Sequence, residues 1–285
     1  MTIRNPVEWT AGQIELTTHA LKSAGHVLRH PQVDTGATPE VGRISVLDLK
    51  DVLMRGLRDF GAYRTDVFFI CFIYPLSGLI LANVTLRFGL FPLVFPLVSG
   101  FALIGPFAAA GLYEMSRRQE QGRPVSWLDA LGVFSSPSFA EIIKLGIVLL
   151  AIFLLWLATA MLIYRLTLGP AMPRSLSGFF ASLFTTPAGW TLIGVGIGVG
   201  SIFALIVLAI SVVSFPLLLD RPVTVSTAIR TSVRAVMLNP VPMLVWGAIV
   251  AAGLVLGAIP ALIGLIVVMP ILGHATWHLY RKVVR

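Results

Sequence analysis

The chain has 285 residues, of which 56% are hydrophobic and only 12% are charged, and its mean hydropathy is +0.89. A soluble domain carries about 25% charged residues, so this chain has too few polar groups to cover a surface in water. A single soluble domain, a disordered chain and a collagen-like chain are therefore excluded, and an integral membrane protein is left.

The charge balance indicates what kind of surface the protein meets. The formal net charge is +8, and the basic residues lie almost entirely between the hydrophobic segments. We therefore expect anionic membrane lipids of the inner leaflet as partners, and no nucleic acid.

Residues 1–42 are polar and mixed in charge, which predicts a cytosolic tail that is partly disordered. Residues 43–66 predict a cytosolic amphipathic helix, and Ser45 with Asp48 resembles the capping box that starts a helix. Its apolar stripe is predicted to be Val46, Leu49, Leu53, Leu57 and Phe60. The opposite stripe is predicted to be Asp48, Asp51, Arg55, Arg58 and Asp59.

Residues 67–280 predict an all-α polytopic bundle of six transmembrane helices. A span needs about 20 apolar residues, and the uncharged runs place the spans at about 67–86, 89–113, 144–164, 190–215, 240–257 and 260–280. The last uncharged run is too long for one helix, so Gly257 and Pro260 are predicted to break it into a hairpin. Residues 281–285 form a cytosolic C-terminus in this scheme.

The distribution of Lys and Arg predicts the orientation. Eighteen of them lie in the tail, the amphipathic helix, the loops after spans two and four and the C-terminus. The opposite side has Arg87, Arg165 and Arg174. Both termini are therefore predicted to be cytoplasmic, in the inner (plasma) membrane.

Two further patterns concern organisation. Residues 123–131 and 221–229 are similar in sequence, and 43–49 is a weaker third copy, which predicts a parallel repeat of three units. In the loop between spans three and four, apolar residues at helical spacing over 176–184 predict a short uncharged helix that stops before Pro187.

Polar groups near the membrane are the candidates for a functional site, because burying them in hydrocarbon is costly. Glu114 precedes Arg117 and Arg118 by three and four residues, which indicates an ion pair or, alternatively, a proton or cation site. Asp220, at the end of span four, indicates a capping or loop role or a similar polar site.

His274 and His278 are spaced i, i+4, which suits a shared metal ion or a haem edge. Two ligands are too few for a structural zinc site, and the flanking Trp277 and Tyr280 favour an aromatic belt at the headgroup level. We therefore predict no catalytic residue, no cofactor and no metal, and no enzymatic activity. In span four, Gly196 and Gly200 with Gly194 and Gly198 predict close helix packing at the centre of the bundle.

Several strings resemble a bacterial membrane family. They are the segment from Gly100 to Arg118, Thr186-Pro187-x-Gly189-Trp190, 215–221, Asn239-Pro240 with Trp246, and 273–281. Over residues 45–285 the chain is similar to the domain of unknown function 2189 (DUF2189) family of integral membrane proteins. Members are sometimes labelled cytochrome c oxidase subunit I, but such a subunit needs roughly six histidine ligands, whereas this chain has five histidines.

Three functions are open at this point. A non-catalytic scaffold or accessory subunit of a membrane complex, with an unknown partner, fits the basic cytosolic surface and the uncharged core. The alternative is a transporter or channel for a small neutral or lipophilic solute, with a path lined by Asn83, Thr159, Ser201 or Ser211. A membrane redox enzyme using His274 and His278 is the third.

Overall fold

The computed structural model describes residues 39–285 except 72, 124, 126–131, 135, 174 and 261. The regular secondary structure of the described residues is helical, and the only β pairing among them is an isolated antiparallel bridge between Val41 and Val284. This confirms the predicted all-α fold. The predicted tail lies outside the described residues up to residue 38.

The helices are numbered in chain order. They are α1 Val46–Cys71, α2 Ile73–Arg87, α3 Val94–Ala108, α4 Ala110–Glu120, α5 Phe139–Thr167, α6 Leu176–Thr185, α7 Pro187–Ser211, α8 Ser214–Asp220, α9 Val225–Leu238, α10 Pro240–Ala258 and α11 Leu265–Val283.

Three helical segments of the described chain are long and apolar enough to cross a membrane. They are α5, the segment Pro187–Asp220 that α7 and α8 form together, and α10. They coincide with predicted spans three, four and five. The predicted span 67–86 falls within α1 and α2, which are described up to residue 71 and from residue 73. The predicted span 89–113 is divided between α3 and α4, and 260–280 lies mostly in α11. Six spans therefore stay a prediction.

The repeat also stays a prediction. In two of its copies a helix begins within the similar sequence, at Val46 and at Val225. The third copy, 123–131, lies outside the described residues apart from Arg123 and Val125.

Prolines coincide with breaks in two long helical segments. Pro106 lies inside α3, which ends two residues later, and Pro216 is the third residue of α8, which begins after the break at Val212 and Val213. Proline has no N–H group, and its ring clashes with the carbonyl four residues earlier. At the second break the Val213 N–H bonds to the Ser232 hydroxyl of α9 over 3.2 Å, so the interrupted backbone is satisfied from a neighbouring helix.

Helix α1 packs along α11 in the most extensive contact between two helices of the described chain. Gly56 allows this, because a Cβ atom there would lie 2.7 Å from the Ala275 Cβ. The two predicted stripes of α1 do not coincide with its exposed and buried faces. Leu57 of the apolar stripe is 47% exposed, whereas Asp59 of the opposite stripe is 6% exposed.

The core is concentrated at one end of the bundle, where α4, α8 and the C-terminal half of α11 meet. The large side chains fully buried there are Leu112, Met115, Phe215, Leu217, Leu218, Trp277 and Tyr280. The spans α5 and α10, in contrast, are largely exposed, with apolar side chains on their outer faces. Such faces suit contact with lipid.

The two ends of the described chain are fastened together at the core end. Gly42 N donates to the Val283 carbonyl over 2.7 Å, and Arg285 N donates to the Glu40 carbonyl over 3.0 Å. Asn239, between α9 and α10, bonds to the backbone at Gly42 and at residue 44. We call residues 39–44, 239 and 283–285 the terminal clasp.

Two local predictions are confirmed and one is wrong. The short helix predicted over 176–184 is α6, and Pro187 begins α7. The break predicted at Gly257 and Pro260 is the turn between α10 and α11. The central packing predicted for the glycines of span four is wrong for Gly194, Gly196 and Gly198, because no other described part of the chain lies within 4 Å of a Cβ atom placed there. Among the described residues, Gly200 packs against Trp156.

Candidate functional site

A buried carboxylate on α4, Glu114, holds two arginines of the same helix. Glu114 is 3% exposed, and it accepts hydrogen bonds from Nε of Arg117 and of Arg118, both over 2.8 Å. Helical geometry places residues three and four positions later on the same face. Arg117 also donates from Nη1 to the Leu219 carbonyl of α8 over 3.1 Å. The ion pair indicated by the spacing is therefore present within α4, and the second hydrogen bond of Arg117 joins α4 to α8.

Asp220 and Glu120 fasten α11 to α8 and α4. The Tyr280 hydroxyl donates to Asp220 Oδ2 over 2.6 Å, and Arg281 Nη1 lies 3.6 Å from the same oxygen. Arg281 Nε and Trp277 Nε1 donate to the two oxygens of Glu120 over 3.1 and 3.2 Å. Asp220 Oδ2 also lies 3.8 Å from Nε of Arg221, the first residue after α8. The structure therefore adds contacts with α11 that the sequence did not predict, and the capping or loop role of Asp220 stays a prediction.

Both predicted histidines of α11 join a buried hydrogen-bond chain centred on Asp59 of α1. His278 Nε2 lies 2.9 Å from Asp59 Oδ2. The Ser116 hydroxyl of α4 donates to the same oxygen over 2.7 Å. His274 Nδ1 lies 2.7 Å from Ser116 Oγ. We call these four residues the Asp59 cluster; it connects α1, α4 and α11, and His274 is completely buried in it.

The hydrogen bonds of the Asp59 cluster fix the positions of its protons. Ser116 has one hydroxyl hydrogen, which it gives to the carboxylate. His274 Nδ1 must therefore carry a hydrogen and donate it to Ser116 Oγ. His274 Nε2 has no hydrogen-bond partner within the part of the chain that the structure describes. Chemically, the cluster can share protons between one carboxylate and two imidazoles, and it holds three helices together.

The aromatic-belt interpretation of the last helix is wrong. Trp277 and Tyr280 are completely buried, and each donates a hydrogen bond to a carboxylate of a neighbouring helix. An aromatic side chain in a membrane belt instead keeps its polar end near the headgroups and water.

In the described ranges, His274 and His278 have no additional side chain that would complete a metal site. His278 Nε2 faces Asp59, and His274 Nδ1 faces Ser116. Among residues 39–285 without their gaps, no group of three or more His, Cys, Asp or Glu side chains is arranged to hold a metal ion.

A polar cavity of about 230 Å³ lies beside the Asp59 cluster. Its lining residues come from α1, α4 and α11; they are Asp51, Val52, Arg55, Glu120, His278, Arg281 and Lys282. His278 belongs both to the cavity wall and to the cluster, and its side chain is 14% exposed. The cavity therefore gives water access to one end of the cluster.

At the edge of this cavity, Lys282 of α11 binds two carboxylates of α1. Its Nζ lies 2.8 Å from Asp48 Oδ1 and 3.3 Å from Asp51 Oδ2. The hydrogen bond from Lys282, with those from the Ser45 backbone and hydroxyl, lowers the pKa of Asp48 to about 2. The hydrogen bond to Asp48 in turn raises the pKa of Lys282.

Sequence reasoning missed Asp59, Ser116 and Glu120. Asp59 lies 219 residues before His278 in the chain, so no local spacing could connect them. One signal was present: Leu49, Val52 and Gly56 precede Asp59 by steps of three and four residues. This is the spacing of one helical face, and it indicates that the acidic residue shares the apolar face.

The hydroxyl groups considered for a solute path bond within their own helices. Thr159, Ser201 and Ser211 each donate to the carbonyl four residues earlier, over 2.8, 2.8 and 2.6 Å. This arrangement satisfies a hydroxyl group in an apolar helix without a partner from another element. Asn83, the fourth candidate, is exposed on α2.

Residues 94–220 match a family model described as "Predicted integral membrane protein (DUF2189)". The match runs from the start of α3 to the end of α8, and it includes Glu114, Arg117, Arg118 and Asp220. The resemblance seen in the sequence is confirmed for these residues, and so is the integral membrane character. The strings at Asn239 and at 273–281 lie beyond the match. No curated protein and no solved structure matches the chain.

Proposed function

We propose that the protein acts without catalysis, as a scaffold or an accessory subunit of a complex in the bacterial inner membrane. The observation that supports this is the use of its buried carboxylates. Asp59, Glu114 and Asp220 each bind side chains of the same bundle, and these contacts join α1, α4, α8 and α11. Groups held in this way stabilise a rigid platform, whereas a catalytic group must be able to reach a substrate.

The platform has one outer face that suits a protein partner. On α1, Leu47 is 84% exposed, and Met54 and Leu57 are also exposed, beside the charged Lys50 and Arg58. Exposed apolar residues among charged ones are typical of interaction surfaces. Because this face lies at the end that the charge distribution predicts to be cytoplasmic, we propose that the partner binds there.

Co-purification of the full-length protein from native membranes tests the proposal. We expect a partner to be recovered in a fixed ratio after crosslinking and mild detergent extraction. Leu47→Glu should lose that partner, because it places a charge in the proposed interface. Leu166→Glu is the matched control, since Leu166 is 77% exposed near the far end of α5. Recovery of no protein in a fixed ratio contradicts the scaffold.

The alternative is a transporter or channel for a small neutral or lipophilic solute, and the interrupted helices favour it. The breaks after Ala108 and after Ser211 resemble the discontinuous helices that build solute sites in transporters. Vesicles reconstituted with the protein should then pass uncharged solutes of graded size faster than protein-free vesicles. Such a flux without a partner supports the transporter and overturns the scaffold. A Soret absorption band overturns both in favour of the redox hypothesis.

A further inference from the structure

A shallow groove of about 520 Å³ runs along the outer face of α9. Its lining residues all come from this helix; they are Ile229, Arg230, Val233, Arg234, Met237 and Leu238. The groove thus combines two guanidinium groups with four apolar side chains, and it is separate from the Asp59 cluster and its cavity.

The opposite face of α9 fixes the helix to the bundle. Ala228, Thr231, Ser232 and Ala235 are buried, and the helix packs against α7 and α8. At its start, the Glu141 carboxylate accepts a hydrogen bond from Val225 N over 2.8 Å. The outer face is therefore held outward by contacts along the whole helix.

The two arginines of the groove keep their charge available. Arg230 and Arg234 are exposed and lie one helical turn apart, so their side chains share one face. Residues 221–239 contain three Arg and neither Asp nor Glu. Within the described part of the chain, neither Arg230 nor Arg234 forms an ion pair. The groove therefore carries two positive charges that attract an anion.

The connections of α9 hold it at the membrane surface. It follows the long apolar segment Pro187–Asp220, and Asn239 alone separates it from α10, which is also long enough to span. Exposed apolar side chains continue from Met237, which is 76% exposed, to Val241 and Leu244 of α10. An amphipathic helix at this depth places its basic groups among headgroups and its apolar groups among acyl chains.

We propose that this groove binds an anionic phospholipid of the surrounding membrane. Arg230 and Arg234 hold the phosphodiester, because guanidinium groups donate paired hydrogen bonds to phosphate oxygens. Met237 and the exposed face of α10 contact the acyl chains. The apolar lining beside a spanning helix favours a lipid over a soluble anion. This site does not depend on the scaffold function, because the lipid binds whether or not a partner does.

Lipid retention by the full-length protein tests the site. The protein is reconstituted in vesicles of equimolar phosphatidylglycerol and phosphatidylcholine and extracted in mild detergent. The two lipids that remain bound are then counted by mass spectrometry. We expect roughly thirtyfold enrichment of phosphatidylglycerol, since each of the two arginines near an anionic surface contributes about 1 kcal/mol. The double variant Arg230→Gln/Arg234→Gln should bring the ratio close to that of the vesicle.

Two further variants distinguish loss of the lipid site from a general loss of positive charge and from failure to fold. Arg87→Gln/Arg165→Gln removes the same charge from exposed positions elsewhere and should keep the enrichment. Arg230→Lys/Arg234→Lys keeps the positive charge and should keep part of the lipid enrichment. This variant still tests the site if the Gln variant fails to fold. Equal retention of both lipids by the unmodified protein overturns the proposal, and so does unchanged enrichment in the Gln variant. The proposal is also overturned if the Gln variant loses a co-purifying protein while its ratio of the two lipids stays that of the unmodified protein.

Discussion

Asp59 shows at the residue scale why a charged side chain can lie in a membrane-protein core. Burial of an unpaired carboxylate is costly, but Asp59 Oδ2 accepts hydrogen bonds from Ser116 and His278 of two other helices. Hydrogen bonds to a charged group are stronger than those between neutral groups. The carboxylate therefore links three helices in a place where an apolar residue would only fill space.

Replacing Asp59 with Asn tests this role. We expect Asp59→Asn to lower the free energy of unfolding in detergent by about 1–3 kcal/mol, because the charge that strengthens both hydrogen bonds is lost. Chemical denaturation followed by Trp fluorescence measures the change. Asp51→Asn on the same helix is the control. Asp51 is half-exposed, with 45% of its side chain accessible, and its ion pairs are near the surface. Equal effects of the two substitutions therefore contradict this role.

A second prediction concerns Gly56, where α1 packs closely on α11. A Cβ atom at Gly56 would lie 2.7 Å from the Ala275 Cβ and 2.8 Å from the Ile271 carbonyl oxygen. Gly56→Ala should therefore force α1 away from α11 and cost about 1–3 kcal/mol. In Gly61→Ala on the same helix, the added methyl group meets no other described residue within 4 Å. This variant should be neutral or stabilising by up to about 1 kcal/mol, because Ala favours the helix more than Gly does.

The unfolding temperatures of these two glycine variants give the comparison. A loss of stability in Gly61→Ala as large as that in Gly56→Ala contradicts close packing of α1 on α11 as the cause.

At the scale of the element, the start of α1 and the end of α11 are joined by surface charges that depend on pH. Lys282 binds Asp48 and Asp51, and Asp48 also caps its own helix by accepting from Ser45 N over 2.7 Å. The same contact explains why the predicted capping box is realised with Asp in place of Glu. Both contacts favour the charged form of Asp48, which therefore contributes to stability in a defined pH range.

The direction of the pH effect follows from the lowered pKa. The pKa of Asp48 in the folded protein is about 2, below its ordinary value of 3.8. Asp48 therefore stabilises the fold above pH 3.8, and this contribution is lost as the pH falls toward 2. The unfolding temperature of the unmodified protein should exceed that of Asp48→Asn at neutral pH, and the two should converge in acid. A difference that is as large below pH 2 as at neutral pH contradicts this assignment.

The helices show which features could be predicted from the sequence and which could not. The existence of α6, the break between α10 and α11 and the Glu114 ion pair follow from local spacing, and these predictions hold. The buried face of α1 and the partners of His274 and His278 depend on contacts between segments more than 100 residues apart. Spacing within one helix carries no information about such contacts. The open glycines of α7 show the same limit, because small residues permit close packing without requiring it.

For the whole molecule, the terminal clasp constrains topology. Residues 39–44 contact 283–285 directly, so both segments lie at the same end of the bundle. We predict that this end is cytoplasmic. In a Cys71→Ser background, Ser177→Cys on α6 should react with a membrane-impermeant maleimide in intact spheroplasts. Arg43→Cys should react only after permeabilisation, and a reporter fused after Arg285 should be active only in the cytoplasm.

Labelling of Arg43→Cys in intact spheroplasts would contradict the predicted orientation. Opposite locations for Arg43 and the fused reporter would contradict the terminal clasp itself. The two results are independent, because the clasp fixes only that the segments lie together.

The pairing of α1 with α11 also sets an order of events during biosynthesis. The ribosome has nearly 200 residues still to add after Cys71 before it reaches Leu265, which takes roughly 10–40 s at 5–20 residues per second. During that interval Asp59 and the seam around Gly56 have no partner from α11. The nascent protein must therefore pass through a stage in which α1 has been made and α11 has not. Insertion factors that cover the surface of α1 around Gly56 would act at that stage.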